Sequence, residues 1–159
     1  MWKMKSILAA FVTGLVFLLV FPLITIFINN AFHLPIFSSI LYQVFGLVLC
    51  LSGALIFLYC SSLFSKLGKG TPAPIDPPNK LVVKGLYQHT RNPIYVGYFL
   101  LLLGEFFVLG FSLLLIYSIV IAFSIHLYVV YVEEPVLKKR FGDSYIGYTQ
   151  QVPRWFFKI

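Results

Sequence analysis

The chain has 159 residues, 60% of them hydrophobic and only 11% charged, with a formal net charge of +7. A soluble domain carries charge on about a quarter of its residues, so this composition excludes an ordinary water-soluble fold and points to an integral membrane protein. The basic residues are spread along the chain rather than gathered on one soluble domain. Their spread argues against nucleic-acid binding and for membrane orientation and contact with anionic headgroups.

Four apolar runs follow in chain order, at about 6–28, 36–64, 93–109 and 111–132. Each reaches the roughly 17–25 residues a transmembrane helix needs, the third only just. Lys3 and Lys5 precede the first run, as in a secretory signal. Its apolar core is longer than the roughly 7–15 residues of a signal core, and no small-x-small cleavage site follows. It is read as a retained helix, kinked at Pro22. The second run holds both cysteines, Cys50 and Cys60, with no His/Cys spacing around them. They are expected to pack as small apolar residues, with no disulfide and no metal.

The segment 65–92 interrupts the apolar runs. Its stretch TPAPIDPP favours stiff polyproline geometry, and the following KLVV is apolar enough to lie against protein or the lipid interface. Gly104 and Gly110 near the next turn predict a tight antiparallel pair between the third and fourth helices. In the tail, 133–159, Leu137, Phe141, Tyr145 and Tyr148 share one helical face. Gly142 followed by Asp143 predicts a break and a new N-cap, hence two short helices. Trp155, Phe156 and Phe157 with Arg154 and Lys158 read as an interfacial anchor, a soluble partner-binding tail being the plainer alternative.

Two Lys precede the first run, five Lys or Arg lie between the second and third, and five follow the fourth. By the positive-inside rule both termini and the 65–92 loop are cytoplasmic. The expected fold is one all-α membrane domain over 1–159: four transmembrane helices in two hairpins, a cytoplasmic loop and short C-terminal helices.

Polar chemistry concentrates where the loop meets the third helix, in GLYQHTRNPIYVG (85–97). Pro93 suits the first turn of that helix, whose free backbone N–H groups and dipole attract an anion. Arg91 can reinforce this, and Tyr87 and Tyr95 offer aromatic faces to a base or a cation. The plainer reading makes Arg91 a snorkelling anchor and the tyrosines part of an interfacial belt. Glu133 and Glu134 close the fourth helix at the same level, either pairing with Lys138 or Arg91 or holding a cationic or polyhydroxyl ligand. Glu105 and His126 lie inside helices three and four, where ionisable groups are costly. Their depths differ by around two helical turns, which argues against a direct pair, and His126 is a candidate for lining a substrate cavity.

The ordered set G-x-Y…R-N-P-x-Y-x-G, a transmembrane hairpin, E-E and F-G-x-x-Y…Y…V-P-R resembles a group of membrane methyltransferases, the isoprenylcysteine carboxyl methyltransferases and phospholipid N-methyltransferases. The likeness covers about residues 72–154. It implies a cytoplasm-facing pocket for S-adenosylmethionine and an opening toward the bilayer for a lipophilic methyl acceptor. It places cofactor contacts on Lys80, Leu81 and Val82; Tyr87; Asn92, Pro93, Ile94 and Tyr95; and Glu133. Arg91 and Glu134 fall on flanking motif positions and are the candidate catalytic residues. Asn92 replaces the family's histidine, which removes a titratable group. Val129 stands where the eukaryotic carboxyl methyltransferases carry an arginine suited to a prenylcysteine carboxylate, so that acceptor is in doubt.

The implied reaction moves a methyl group from a sulfonium to an amphiphile's oxygen, nitrogen or sulfur. A carboxylate needs no base, whereas an ammonium headgroup must first lose a proton, for which His89, Glu134 and His126 are candidates. Ethanolamine-headgroup methylation is the alternative activity. A reductase and a non-enzymatic helical membrane subunit are the rivals from other classes.

Overall fold

The structure, a computed structural model, describes residues 14, 16–63, 66–67 and 80–155. Lys3, Lys5, Lys69, the proline-rich stretch 71–78, Phe156, Phe157 and Lys158 lie outside the described residues. The described chain is helical, its one β feature being an isolated bridge between Ile36 and Phe111. We number the α-helices α1 Phe21–Ala31, α2 Ile40–Leu63, α3 Pro93–Leu109, α4 Ser112–Tyr128, α5 Glu134–Phe141 and α6 Asp143–Gln151. Two continuous helical stretches, Ile40–Leu63 and Ser112–Phe141, are long and apolar enough to cross a membrane, while Val16–Ala31 and Pro93–Leu109 are shorter apolar helices.

π-type turns interrupt the helices at Val16–Val20 and Val129–Glu133. Each runs directly into a helix with proline in its first turn, Pro22 in α1 and Pro135 in α5. Proline lacks an N–H and its ring crowds the carbonyl four residues back, so the ladder there widens by one residue. At Pro22, where a kink is expected, the helix carries this wide turn. At Pro135 the same device corrects the reading that the fourth helix ends at Glu133 and Glu134. The helix runs on, which removes the repulsion a helix C-terminus would exert on those carboxylates.

The expected pair of α3 and α4 is present, the two helices packing on each other, but α1 does not take α2 as its main partner. The closest packing is of α2 against α3, and α1 lies on α4. Small residues set the α2–α3 seam. A methyl group on Gly53 would lie 2.5 Å from the Gly97 carbonyl oxygen, and one on Gly104 would lie 2.5 Å from Cys50 Sγ. Close backbone approach over small residues is how helices associate where lipid offers no hydrophobic driving force. Gly104 thus serves α2 rather than the α3–α4 turn, which instead rests on Gly110, the left-handed cap of α3 with φ 77°. Between α3 and α4 the register is held by Ser118, whose Oγ donates to the carbonyls of Leu102 at 3.1 Å and Leu114 at 2.8 Å.

Fully buried Asn29 closes the end away from the tail. Its Oδ1 accepts from Leu113 N–H at 3.1 Å and Ser112 Oγ at 3.2 Å, and its Nδ2 donates to the Leu34 carbonyl at 3.0 Å. One side chain thereby satisfies the free donors at the start of α4 and the connection after α1. At the opposite end, α2 finishes, α3 begins, and the tail folds back.

Candidate functional site

The segment before α3 is fixed first. Gly85, at φ 62°, opens a 3₁₀ turn over Gly85–Gln88 that delivers Tyr87 into a small core with Cys60 and Val82, packed by Ile56, Leu63, Leu86 and Ile94. The KLVV stretch therefore lies against protein through Val82, and Cys60 is a packing residue. Tyr148 on α6 donates its hydroxyl to the Tyr87 carbonyl at 2.6 Å, tying the tail to this turn.

The tail segment 152–154 then docks along 90–92. Buried Thr90 donates its hydroxyl to the Arg154 carbonyl at 2.9 Å, Asn92 Nδ2 donates to the same oxygen at 3.1 Å, and Arg91 N–H donates to the Pro153 carbonyl at 2.9 Å. Asn92 therefore acts as a clamp on the tail. Pro93 occupies the first turn of α3 and is fully buried. The first-turn N–H groups beyond it have no partner within the helix.

The two adjacent glutamates take different partners. Tyr95 donates its hydroxyl to Glu133 Oε2 at 2.8 Å. Glu134 accepts from Arg154 through both oxygens, at 2.7 and 2.8 Å, and from Arg91 Nη1 at 3.1 Å. The candidate catalytic pair Arg91 and Glu134 is thus brought into direct contact, and Arg154, expected in an interfacial anchor, is a third member. Arg91 Nε is enclosed and has no hydrogen-bond partner among the described residues. The hydrogen bond from Arg154 to Glu134 raises the guanidinium's pKa further, and burial pushes the Tyr145 hydroxyl beside Arg91 up to about 12. Burial likewise raises Tyr87, well beyond the usual phenol range.

Trp155 is the other residue the anchor reading misplaced. Its indole packs beside Tyr95 and Phe99, with centroids 6.5 and 5.5 Å away, and its Nε1 donates to His126 Nδ1 at 2.8 Å. His126 and Glu105 do not meet: His126 holds Trp155, while Glu105 Oε2 is enclosed with no partner among the described residues. Of the other expected cofactor positions, Val82 and Ile94 pack in the core around Cys60 and Tyr87, Tyr95 holds Glu133, Leu81 is half-buried, and Lys80 is exposed. His89 is also exposed. Val129 is fully buried at the start of the second π-type turn, so an apolar side chain fills that position.

The arrangement offers an anion the first turn of α3 and the Arg91 guanidinium, and offers hydroxyls or an ammonium the Glu133 carboxylate, within aromatic walls. Residues 41–144 match the family model described as phospholipid methyltransferase. A curated relative, the protein-S-isoprenylcysteine O-methyltransferase of Schizosaccharomyces pombe, is 39% identical over 74 residues, covering 46% of this chain and 31% of that protein. The chain's match thus spans about a third of that relative's length.

Proposed function

This chain belongs to the phospholipid methyltransferase family, and on that premise we propose that it is an S-adenosylmethionine-dependent membrane methyltransferase acting on a lipophilic or amphiphilic acceptor at the cytoplasmic face. In this reading the stretches Val16–Ala31, Ile40–Leu63, Pro93–Leu109 and the apolar part of Ser112–Phe141 cross the bilayer. Both termini and the 65–92 loop lie on the cytoplasmic side.

The observation that carries the proposal is the convergence, at one end of the bundle, of the α3 N-terminus, the enclosed Arg91 Nε with no partner among the described residues, and Glu133 held by Tyr95. These fit the cofactor's groups. The α3 first turn and Arg91 suit its carboxylate, Glu133 its ribose hydroxyls or ammonium, and Tyr87 and Tyr95 the flat and cationic parts. When bound, the cofactor supplies an electrophilic methyl on a sulfonium. The chain's own contribution is positioning: it orients donor and acceptor and keeps bulk water out of the gap. Arg91 and Glu134 hold the tail over the site, and their mutual pairing with Arg154 fits a scaffold better than a free general base.

The isoprenylcysteine O-methyltransferase of fission yeast favours a carboxylate acceptor, whereas membership of the phospholipid methyltransferase family favours a phospholipid headgroup. Apolar Val129 weighs against a prenylcysteine carboxylate bound at that position. Calorimetry on the purified chain tests the core of the reading, with S-adenosylmethionine binding expected in wild type and weakened about tenfold or more in Glu133→Ala and Tyr87→Ala. A correctly folded wild type that binds none overturns it. Transfer of labelled methyl into a total lipid extract then identifies the acceptor.

A further inference from the structure

Trp155 is the last described residue of the tail, and its indole lies against Phe99 on α3 and His126 on α4, with centroids 5.5 and 5.9 Å away. Its Nε1 is 2.8 Å from His126 Nδ1. An indole N–H can only donate, so Nδ1 must accept, and a neutral imidazole then carries its proton on Nε2. That second nitrogen has no hydrogen bond within the described chain and is not among its enclosed unpartnered atoms. His126 sits seven residues before Glu133, roughly 10 Å further from the tail-bearing end. Trp155 also packs beside Tyr95, centroids 6.5 Å apart, so the indole joins His126 to the Tyr95–Glu133 pair.

From this geometry we infer that Trp155 is a positioning residue for the methyl acceptor: by occupying His126 Nδ1 it presents Nε2–H as a fixed donor to a lone-pair oxygen on the acceptor's polar group. The inference rests on the methyltransferase reading above. It adds a condition to that reading. Trp155 is held in place by the docked segment 152–154, through Thr90, Asn92, the Arg91 backbone and Glu134. The acceptor subsite is therefore complete only when the tail is docked, so order at the cofactor end and order at the acceptor end are one event. It also assigns His126 a donor's role: the nitrogen that could take a proton through Nδ1 is already occupied by the indole.

The test uses the full chain in detergent micelles with ¹⁵N-labelled histidine, the His126 signals being assigned by their loss in His126→Gln. Wild type is expected to show a protonated Nε2 and an unprotonated Nδ1, and the Nε2 signal is expected to move when an S-prenylated N-acyl cysteine or phosphatidylethanolamine is titrated in. Trp155→Phe keeps the ring but removes the N–H; it is expected to mix the two tautomers and to raise the acceptor KM about fivefold, with the S-adenosylmethionine Kd within about twofold of wild type. His126→Gln, which keeps an N–H donor and a group that can accept from the indole, is expected to retain activity that His126→Phe loses. A wild-type Nδ1–H tautomer, an Nε2 signal indifferent to both amphiphiles, or a His126→Phe variant with unchanged acceptor KM overturns the inference. Absence of S-adenosylmethionine binding in wild type would overturn the methyltransferase reading instead, while the tautomer and the titration still decide this one.

Discussion

Arg154 grips Glu134 with two parallel hydrogen bonds, Nε to Oε1 at 2.7 Å and Nη2 to Oε2 at 2.8 Å, while Arg91 Nη1 reaches the same Oε1 at 3.1 Å. A planar guanidinium matches a carboxylate in this fork, which adds geometry to charge. The carboxylate is the shared member, so the two partners are not equivalent to it. Glu134→Ala leaves two guanidiniums facing each other, one of them nearly buried, and is expected to lower stability by about 2–4 kcal/mol. Arg154→Ala leaves Glu134 paired with Arg91, and because Arg154 is partly exposed its loss is expected to be smaller, about 1 kcal/mol. Thermal unfolding in detergent decides; equal losses would contradict the shared-carboxylate reading.

The second π-type turn follows from Pro135 and controls where Glu133 points. Pro135→Ala restores the missing N–H and permits an ordinary ladder through residues 129–135, rotating Glu133 by about 100° relative to α5. The substitution is expected to leave helix content the same or higher while separating Tyr95 from Glu133. S-adenosylmethionine affinity should fall about tenfold with little change in Tm. Unchanged affinity would mean that the wide turn is not what aims Glu133.

The α2–α3 seam has no room for a methyl group. Gly53→Ala and Gly97→Ala would each press a Cβ to within 3 Å of a backbone oxygen on the other helix. Each is expected to lower stability by about 1–3 kcal/mol, the range for overpacking a tight contact. Gly147 in α6 makes a matched control, since a Cβ there meets nothing within 4 Å. Gly147→Ala is expected to be neutral or to stabilise by about 0.5–1 kcal/mol through reduced backbone freedom. Circular dichroism melts of the three variants check the contrast.

Asn29 separates stability from function because it lies at the end of the bundle away from the tail. Asn29→Leu strands the Ser112 hydroxyl, the Leu113 N–H and the Leu34 carbonyl, and is expected to cost about 1–3 kcal/mol. Affinity for S-adenosylmethionine in the folded fraction should stay within about twofold of wild type. A large loss of affinity without a change in Tm would show coupling between the two ends.

Tyr145 offers a pH readout. Its hydroxyl is pushed up to about 12 when folded, above the unfolded value near 10. A phenol with a raised pKa contributes its full stability below about pH 10, and that contribution fades as pH rises toward 12, because the unfolded chain ionises first. Alkaline titration of Tyr145→Phe is therefore expected to show weaker loss of stability between about pH 10 and 12 than wild type. Identical alkaline profiles would mean that Tyr145 ionises equally easily in both states.

Apolar run length and turn chemistry made much of this protein legible in one dimension. Those local features gave the apolar helices, the start of α3 at Pro93, the break at Gly142 and the two short tail helices, because periodicity, proline and glycine act over a few residues. The ordered motifs likewise pointed to Tyr95, Glu133, Arg91 and Glu134 as neighbours. Partner choice was different. Whether Glu134 met Lys138, Arg91 or Arg154 depended on a tail that folds back across more than 60 residues of chain. Trp155 and Arg154 read as surface anchors because aromatic and basic residues near a membrane boundary usually are; only docking of the 152–154 segment turned them inward. The pairing of α2 with α3 and of α1 with α4 also lay beyond the sequence pattern. Lipid-facing and protein-facing residues are equally apolar in a membrane chain, so hydropathy has no contrast with which to mark a packing face, and the small-residue seam that decides it exists only when two helices meet.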